Sequence, residues 1–217
     1  MTEASIAALQ GLRDFSTLKW YVIPLLVIVL YIYAKEIRLS RETGNWDPVF
    51  AGLTLFGVDF FNETWNGWAL NISGVSALWT APGDTALRVM VGWNIEIIFM
   101  FLIAGIVFYY TLSPDPSEKI LGINNRWFWA VGYSAFCVFI ECILNAGGHL
   151  VWEYHFWERS FAGVWLIFVF GYFTFFAAIN LVLNLRKIRQ RILVLSSIYG
   201  TAVVMNIIGA GILGWTY

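Results

Sequence analysis

Apolar stretches of about 18 residues or more recur through most of this chain, parted by short charged or Gly- and Pro-bearing links, and that is the length an α-helix needs to cross bilayer hydrocarbon. Of the 217 residues, 59% are hydrophobic and 12% charged, too little charge to clothe a soluble globular surface. The fold class read from this pattern is all-α: a polytopic integral membrane bundle of six transmembrane helices with short loops. It is a multi-pass protein of a cell membrane or endomembrane, with membrane lipids among its partners. A net charge of -1 and the lack of a basic stripe exclude a nucleic-acid surface.

Local chemistry marks the ends of the elements. Residues 1–18 contain Glu3 and Asp14, and Ile6, Leu9, Leu12 and Phe15 recur every three positions. This predicts a short amphipathic helix on the membrane face, not a cleavable signal peptide. The first span covers 20–37. The second runs 47–70, with Asp47 as N-cap and Pro48 in the first turn. Gly74, Pro82 and Gly83 then break the chain, and the third span opens at Asp84 and continues to 112. Asp115-Pro116-Ser117-Glu118 has the spacing of a capping box for a short helix ending at Gly122. Spans over 126–155, 160–189 and 191–215 complete a single domain over 19–217, since no repeat or low-complexity tract divides it.

Lys and Arg set the orientation. Lys35, Arg38, Arg41, Lys119, Arg126, Arg186, Lys187, Arg189 and Arg191 share one side, nine of the thirteen basic residues. The positive-inside rule makes that side cytoplasmic and places both termini outside. Asn180 and Asn184, near the same side, are expected to cap carbonyls beside the basic cluster.

Four carboxylates break the apolar runs: Asp59, Glu63, Glu96 and Glu141. Acids at bilayer depth are costly and mark functional sites. Counted at about 1.5 Å per residue from the basic side, Asp59 lies roughly 17 Å deep and Glu63, Glu141 and Asn206 roughly 23 Å. Glu96 reaches a similar level from the other side. Asp59, Asn62, Glu63 and Asn66 fall at i, i+3, i+4 and i+7, on one helix face; Glu141, Asn145 and His149 step by four on another span. Trp93 and Glu96 share a stripe, and Asn94 sits on another. The expectation is a polar chamber lined by spans two, three, four and six and opening toward the outer surface, with Gly147 and Gly148 allowing close approach to span four.

Acids that share a desolvated cavity cannot all ionise, so a neutral acid beside an ionised one makes an acid/base pair. Tryptophan faces nearby stabilise a cation. This chemistry suits isomerisation, hydration or cyclisation of a lipophilic small molecule. Glu63 and Glu141 are the expected acid and base, tuned by Glu96 and Asp59. Asn62, Asn66, Asn94, Asn145 and Asn206 would orient the substrate, and Trp65, Trp93 and Trp152 would shape the wall. No cofactor is expected. The competing metal site would use His149 and Glu153 at i, i+4, with Glu141 two turns away. Intramembrane acids also serve proton- or cation-coupled transport, although no inverted repeat is present, and an accessory-subunit role would not explain the buried acids. Cys137 and Cys142, five apart, fit neither a CxxC nor a zinc-ribbon spacing and read as packed thiols.

In general plan, short-looped helices with buried acids such as Glu63 and Glu141 among tryptophans, the chain resembles small membrane sterol isomerases and membrane terpene cyclases. The likeness is one of physical design and carries over no residue assignments.

Overall fold

A computed structural model describes residues 1–217. Seven helices carry the fold: α1 (Glu3–Gln10), α2 (Val22–Thr43), α3 (Asp47–Ser73), α4 (Ile95–Thr111), α5 (Asn125–Ala146), α6 (Phe161–Asn184) and α7 (Ile188–Ile212). Helix α3 is central and packs on α4, α6 and α7, while α2 lies outside α4. The α3/α4 contact is backbone on backbone, because a Cβ on Gly105 would lie 2.4 Å from the Ala51 carbonyl oxygen. Small residues permit this approach where apolar burial alone gives no net drive between helices in lipid.

The surface is inverted relative to a soluble protein. Ile23, Val27 and Leu30 on α2, Phe136, Phe139 and Ile143 on α5, and Leu193, Val204 and Ile207 on α7 are all exposed. An apolar patch of this extent needs hydrocarbon around it. Helices α5, α6 and α7 are each long and apolar enough to cross a membrane. The six-span expectation is not supported at that standard. Helix α2 carries Lys35, Glu36 and Arg38 within its length, α3 contains Asp59, Asn62, Glu63 and Asn66, and α4 has only 17 residues.

At the basic end of the bundle, Phe50, Phe108, Phe176, Ile179, Val182 and Leu195 form a continuous apolar core. At the other end a layer of loop and short strands covers the helices. Strand β1 (Trp79–Thr80) pairs antiparallel with β6 (Val151–Trp152), and β2 (Arg88–Met90) pairs with β3 (Trp93–Asn94). A third two-stranded ladder, β4 (Lys119–Ile120) with β5 (Ile123–Asn124), lies in the α4–α5 link. These ladders qualify the all-α expectation.

Arg88 fastens the covering layer. Its buried guanidinium donates to the carbonyls of Ala81 and Gly83, each at 2.8 Å, and reaches the last-turn carbonyls Ala7 and Ala8 of α1 at 3.5 Å. Burial pulls its pKa below the ordinary arginine value, yet four carbonyls satisfy the charge without a carboxylate. The two ends of the chain meet here, where Arg13 Nη2 donates to the Tyr217 carbonyl at 3.1 Å.

Several predicted boundaries shift for local reasons. Helix α1 stops at Gln10 and buries Ser5 and Ala8, not the Ile6 stripe, because it packs into the loop layer through Ser5 and Ser76. Asp47 is the first helical residue of α3 and ion-pairs with Arg191; Asn45 Oδ1 caps the Asp47 N–H in its place. The third span opens at Ile95, capped by Asn94, since Asp84 is held in the loop by Lys19. The segment after Asp115 forms an Asx turn and then a hairpin, with Leu121 and Gly122 both at positive φ, so Gly122 ends no helix. Helix α5 ends at Ala146. Gly148, at φ 74, reverses the chain into β6, so residues 147–155 are not helical.

Candidate functional site

Asp59 and Glu63 stand one turn apart on α3 and face the same way. Each is met by an indole from the loop layer. Trp93, on β3, lies between the rings of Phe56 and Phe60, 5.7 Å from each, and donates its N–H to Asp59 Oδ2 at 2.7 Å. Trp79, on β1, stacks on Trp157 at 6.0 Å and donates to Glu63 Oε1 at 2.8 Å. The second Glu63 oxygen, Oε2, is buried and has no hydrogen-bond partner. A buried anionic or acidic oxygen left this way is costly, and it calls for a donor from a ligand or water.

Glu63 belongs to the wall of a cavity of about 130 Å³, which Asp59, Asn62 and Glu141 line with it, together with Trp79, Cys137, Trp157 and Tyr172. Glu141 enters from α5, with Cys137 one turn before it. Tyr172 enters from α6 through a π-helical turn, Ile167–Phe173. Such a turn adds a residue per turn and re-aims the side chains that follow, and it is frequent at functional sites. Glycine is required at position 92, where a Cβ would lie 2.5 Å from the Trp79 ring and 2.7 Å from Glu63 Oε2.

The cavity has a closed roof and an open side. Trp79, Gly92, Leu150 and Trp157 cover it. Met100 on α4 (53% exposed) and Phe136 on α5 (60% exposed) line it and also reach the outer surface, as do Ile140 and Leu144. The opening is therefore lateral, between α4 and α5, toward the lipid-facing flank. The chain folds its 74–94 loop and β6 over the end of the bundle opposite the basic cluster.

Other expected site residues are placed elsewhere. Glu96 accepts from Tyr21 and Thr85 hydroxyls, both at 2.5 Å, and from the Ala86 N–H at 2.9 Å, so it anchors the loop layer. Asn66 pairs with the β1 backbone, accepting from Leu78 and Trp79 N–H and donating to the Trp79 carbonyl at 2.7 Å. It thereby positions Trp79. Asn94 caps α4 through the Ile97 N–H. Asn145 donates to the Leu150 carbonyl, and Asn206 donates to Thr64 Oγ1 at 2.7 Å, tying α7 to α3. Trp65 is exposed on another face, and Trp152 is buried in β6 outside the cavity wall. His149 and Glu153 lie beyond the end of α5, so their i, i+4 spacing does not align them toward one ion.

Trp79, Trp157, Cys137 and Tyr172 are cavity residues that sequence reasoning did not assign. The two tryptophans sit outside helices, where aromatics read as an interfacial belt. Tyr172 falls in the wall because of the π turn, which helical periodicity does not register.

Comparison with known proteins gives a family and a relative. Residues 2–211 match the model of a family described as "Uncharacterized membrane protein family". A protein of Archaeoglobus fulgidus, described as "Uncharacterized protein", is 42% identical over 214 residues, which is 99% of each chain. No solved structure matches. Matched over nearly its whole length, with an inverted surface and acids gathered at one internal cavity, the chain belongs to this family of membrane proteins.

Proposed function

We propose that the protein is a membrane-embedded enzyme that performs acid/base chemistry on a lipophilic small molecule entering sideways from the bilayer. The observation that carries this reading is the unpartnered Glu63 Oε2 in a cavity shared with Asp59 and Glu141 and open between α4 and α5. In this proposal one carboxyl donates its proton to one carbon of an alkene, which leaves a cation on the other, and a second carboxylate removes a proton from the carbon on the far side of that cation. The double bond moves and the proton count is unchanged. The Trp79 and Trp157 faces stabilise the intervening cation, and Tyr172 relays protons beside Glu141.

Cavity size supports a substrate class. A volume of about 130 Å³ is near that of an engineered cavity which holds benzene, about 150 Å³. It suits the unsaturated end of a chain whose remainder stays in lipid, rather than a whole polycycle. The core beneath is mostly apolar, from Phe101 and Phe175 to Phe50 and Leu183, and the hydroxyls of its buried Thr54 and Ser134 are taken up by carbonyls of their own helices. That favours chemistry over transport. In the same proposal all six of α2 to α7 cross the bilayer; even α4, with 17 residues, spans about 25 Å.

The test is isotopic. The purified protein in lipid nanodiscs is incubated in D2O with a total lipid extract from its source membrane, and lipids are analysed for deuterium that does not wash out. Deuterium gain with the wild type and none with Glu63→Gln or Glu141→Gln supports the reading. Equal labelling by both variants sinks it.

A further inference from the structure

A second apolar groove opens toward the basic end of the bundle, and its inner end, Tyr199, packs on Phe56 of α3 at 6.2 Å. Val49 and Leu53 of α3 form one wall, Ile188 and Ile192 of α7 the other, and Leu195 and Tyr199 the floor, around a volume of about 550 Å³. The Tyr199 hydroxyl at the floor spends its proton on the Leu53 carbonyl at 2.8 Å. Along α7 the groove extends eleven residues, from Ile188 to Tyr199, or about 16 Å. That matches half of a hydrocarbon core of about 30 Å, the depth of one leaflet.

Charge is arranged at one end only. Arg191 is committed to the protein: it pairs with Asp47, donates to the Leu183 and Leu185 carbonyls at 2.9 Å, and lies over the Phe50 ring. Arg186 and Lys187, on the turn that leads into α7, and Arg189, in its first turn, are exposed and take part in no ion pair. Three free cations therefore stand at headgroup level above an apolar slot one leaflet deep. Clusters of this kind attract anionic headgroups.

We propose that this groove is a binding site for one anionic lipid of the leaflet at the basic end, with a chain laid along Ile192 and Tyr199 and the phosphate held by Arg186, Lys187 and Arg189. The site does not depend on the acid/base reading of the other cavity.

The full chain in nanodiscs of equimolar phosphatidylglycerol and phosphatidylcholine is released into the gas phase, and the retained lipids are weighed by native mass spectrometry. The expected result is one retained phosphatidylglycerol, with its preference over phosphatidylcholine falling about tenfold or more in the R186Q/K187Q/R189Q variant. Ser196→Trp, which fills the groove from an exposed position on α7, is expected to remove the retained lipid while leaving the basic cluster intact. Glycerol phosphate, a headgroup without chains, is expected not to displace it. Equal retention of the two lipids by the wild type, unchanged preference in the triple variant, retention by Ser196→Trp, or displacement by glycerol phosphate would each overturn the proposal.

Discussion

The indole N–H of Trp79 holds one oxygen of Glu63 at 2.8 Å and leaves the other buried without a partner. The carboxyl is thus fixed in orientation by the loop layer and available on one side only. Glu63→Gln keeps an amide oxygen for the indole and removes the acid, so proton transfer is expected to fall about a hundredfold with the fold retained. Trp79→Phe keeps the stack on Trp157 and loses the donor; a smaller loss of about tenfold is expected. Deuterium incorporation beside thermal unfolding of each variant separates the two effects.

Gly92 is a site of steric exclusion. Because a Cβ there would collide with the Trp79 ring and with Glu63 Oε2, Gly92→Val is expected to displace the indole and cost about 1–3 kcal/mol. A shifted tryptophan emission and a lowered unfolding temperature in nanodiscs would register it. Wild-type emission and stability would mean that the loop layer yields at this point.

The lateral opening is checked by filling it. Met100→Trp narrows the gap between α4 and α5 and is expected to raise KM for a lipid substrate while leaving stability within about 0.5 kcal/mol of wild type. Trp65→Ala, on an exposed face away from the cavity, serves as the comparison and is expected to change neither quantity.

Arg88 bridges α1 to the loop layer with its buried guanidinium. Arg88→Met leaves several carbonyls without donors and is expected to destabilise the layer by about 3 kcal/mol. Arg88→Lys offers no planar fork and is expected to recover only part of that. Limited proteolysis within 74–94 on nanodisc-held protein reports the loosening directly.

Acid weakens a smaller fastening of the same layer. The hydrogen bond and charge of Lys19 hold the exposed Asp84 carboxyl below its ordinary value of 3.8. A pKa depressed in the fold means the contribution is complete above that ordinary value and disappears as pH falls through the lower folded one. Asp84→Asn is expected to abolish this acid dependence of loop proteolysis and to bring cleavage at neutral pH to the level that the wild type shows in acid.

Much of the site was legible because α3 is regular: Asp59, Asn62 and Glu63 lie on one face by spacing alone, and Glu141 falls at their level. What was not legible depends on tertiary contact. Asn66, Asn94, Asn145 and Asn206 have the same composition as ligand-binding amides, but each satisfies a backbone or side-chain group that only the folded loops and helices bring near. The continuation of α5 through His149 rested on apolar and amide spacing, which Gly148 ends by taking a left-handed conformation. Likewise Trp79 reached Glu63 through β1 pairing with β6, a contact across more than seventy residues that no local pattern announces.

The apolar core below the cavity bears on electrical coupling. Under the acid/base reading, with Phe50, Phe108, Phe176 and Ile179 packed toward the basic end, a proton that reaches Glu63 or Glu141 would return by the face it came from. No charge would then complete a passage through the field across the bilayer, which does work of about 2.3 kcal/mol per 100 mV on each elementary charge. Turnover at this site would accordingly proceed at the same rate in an energised vesicle and in one whose membrane potential has been collapsed by an ionophore.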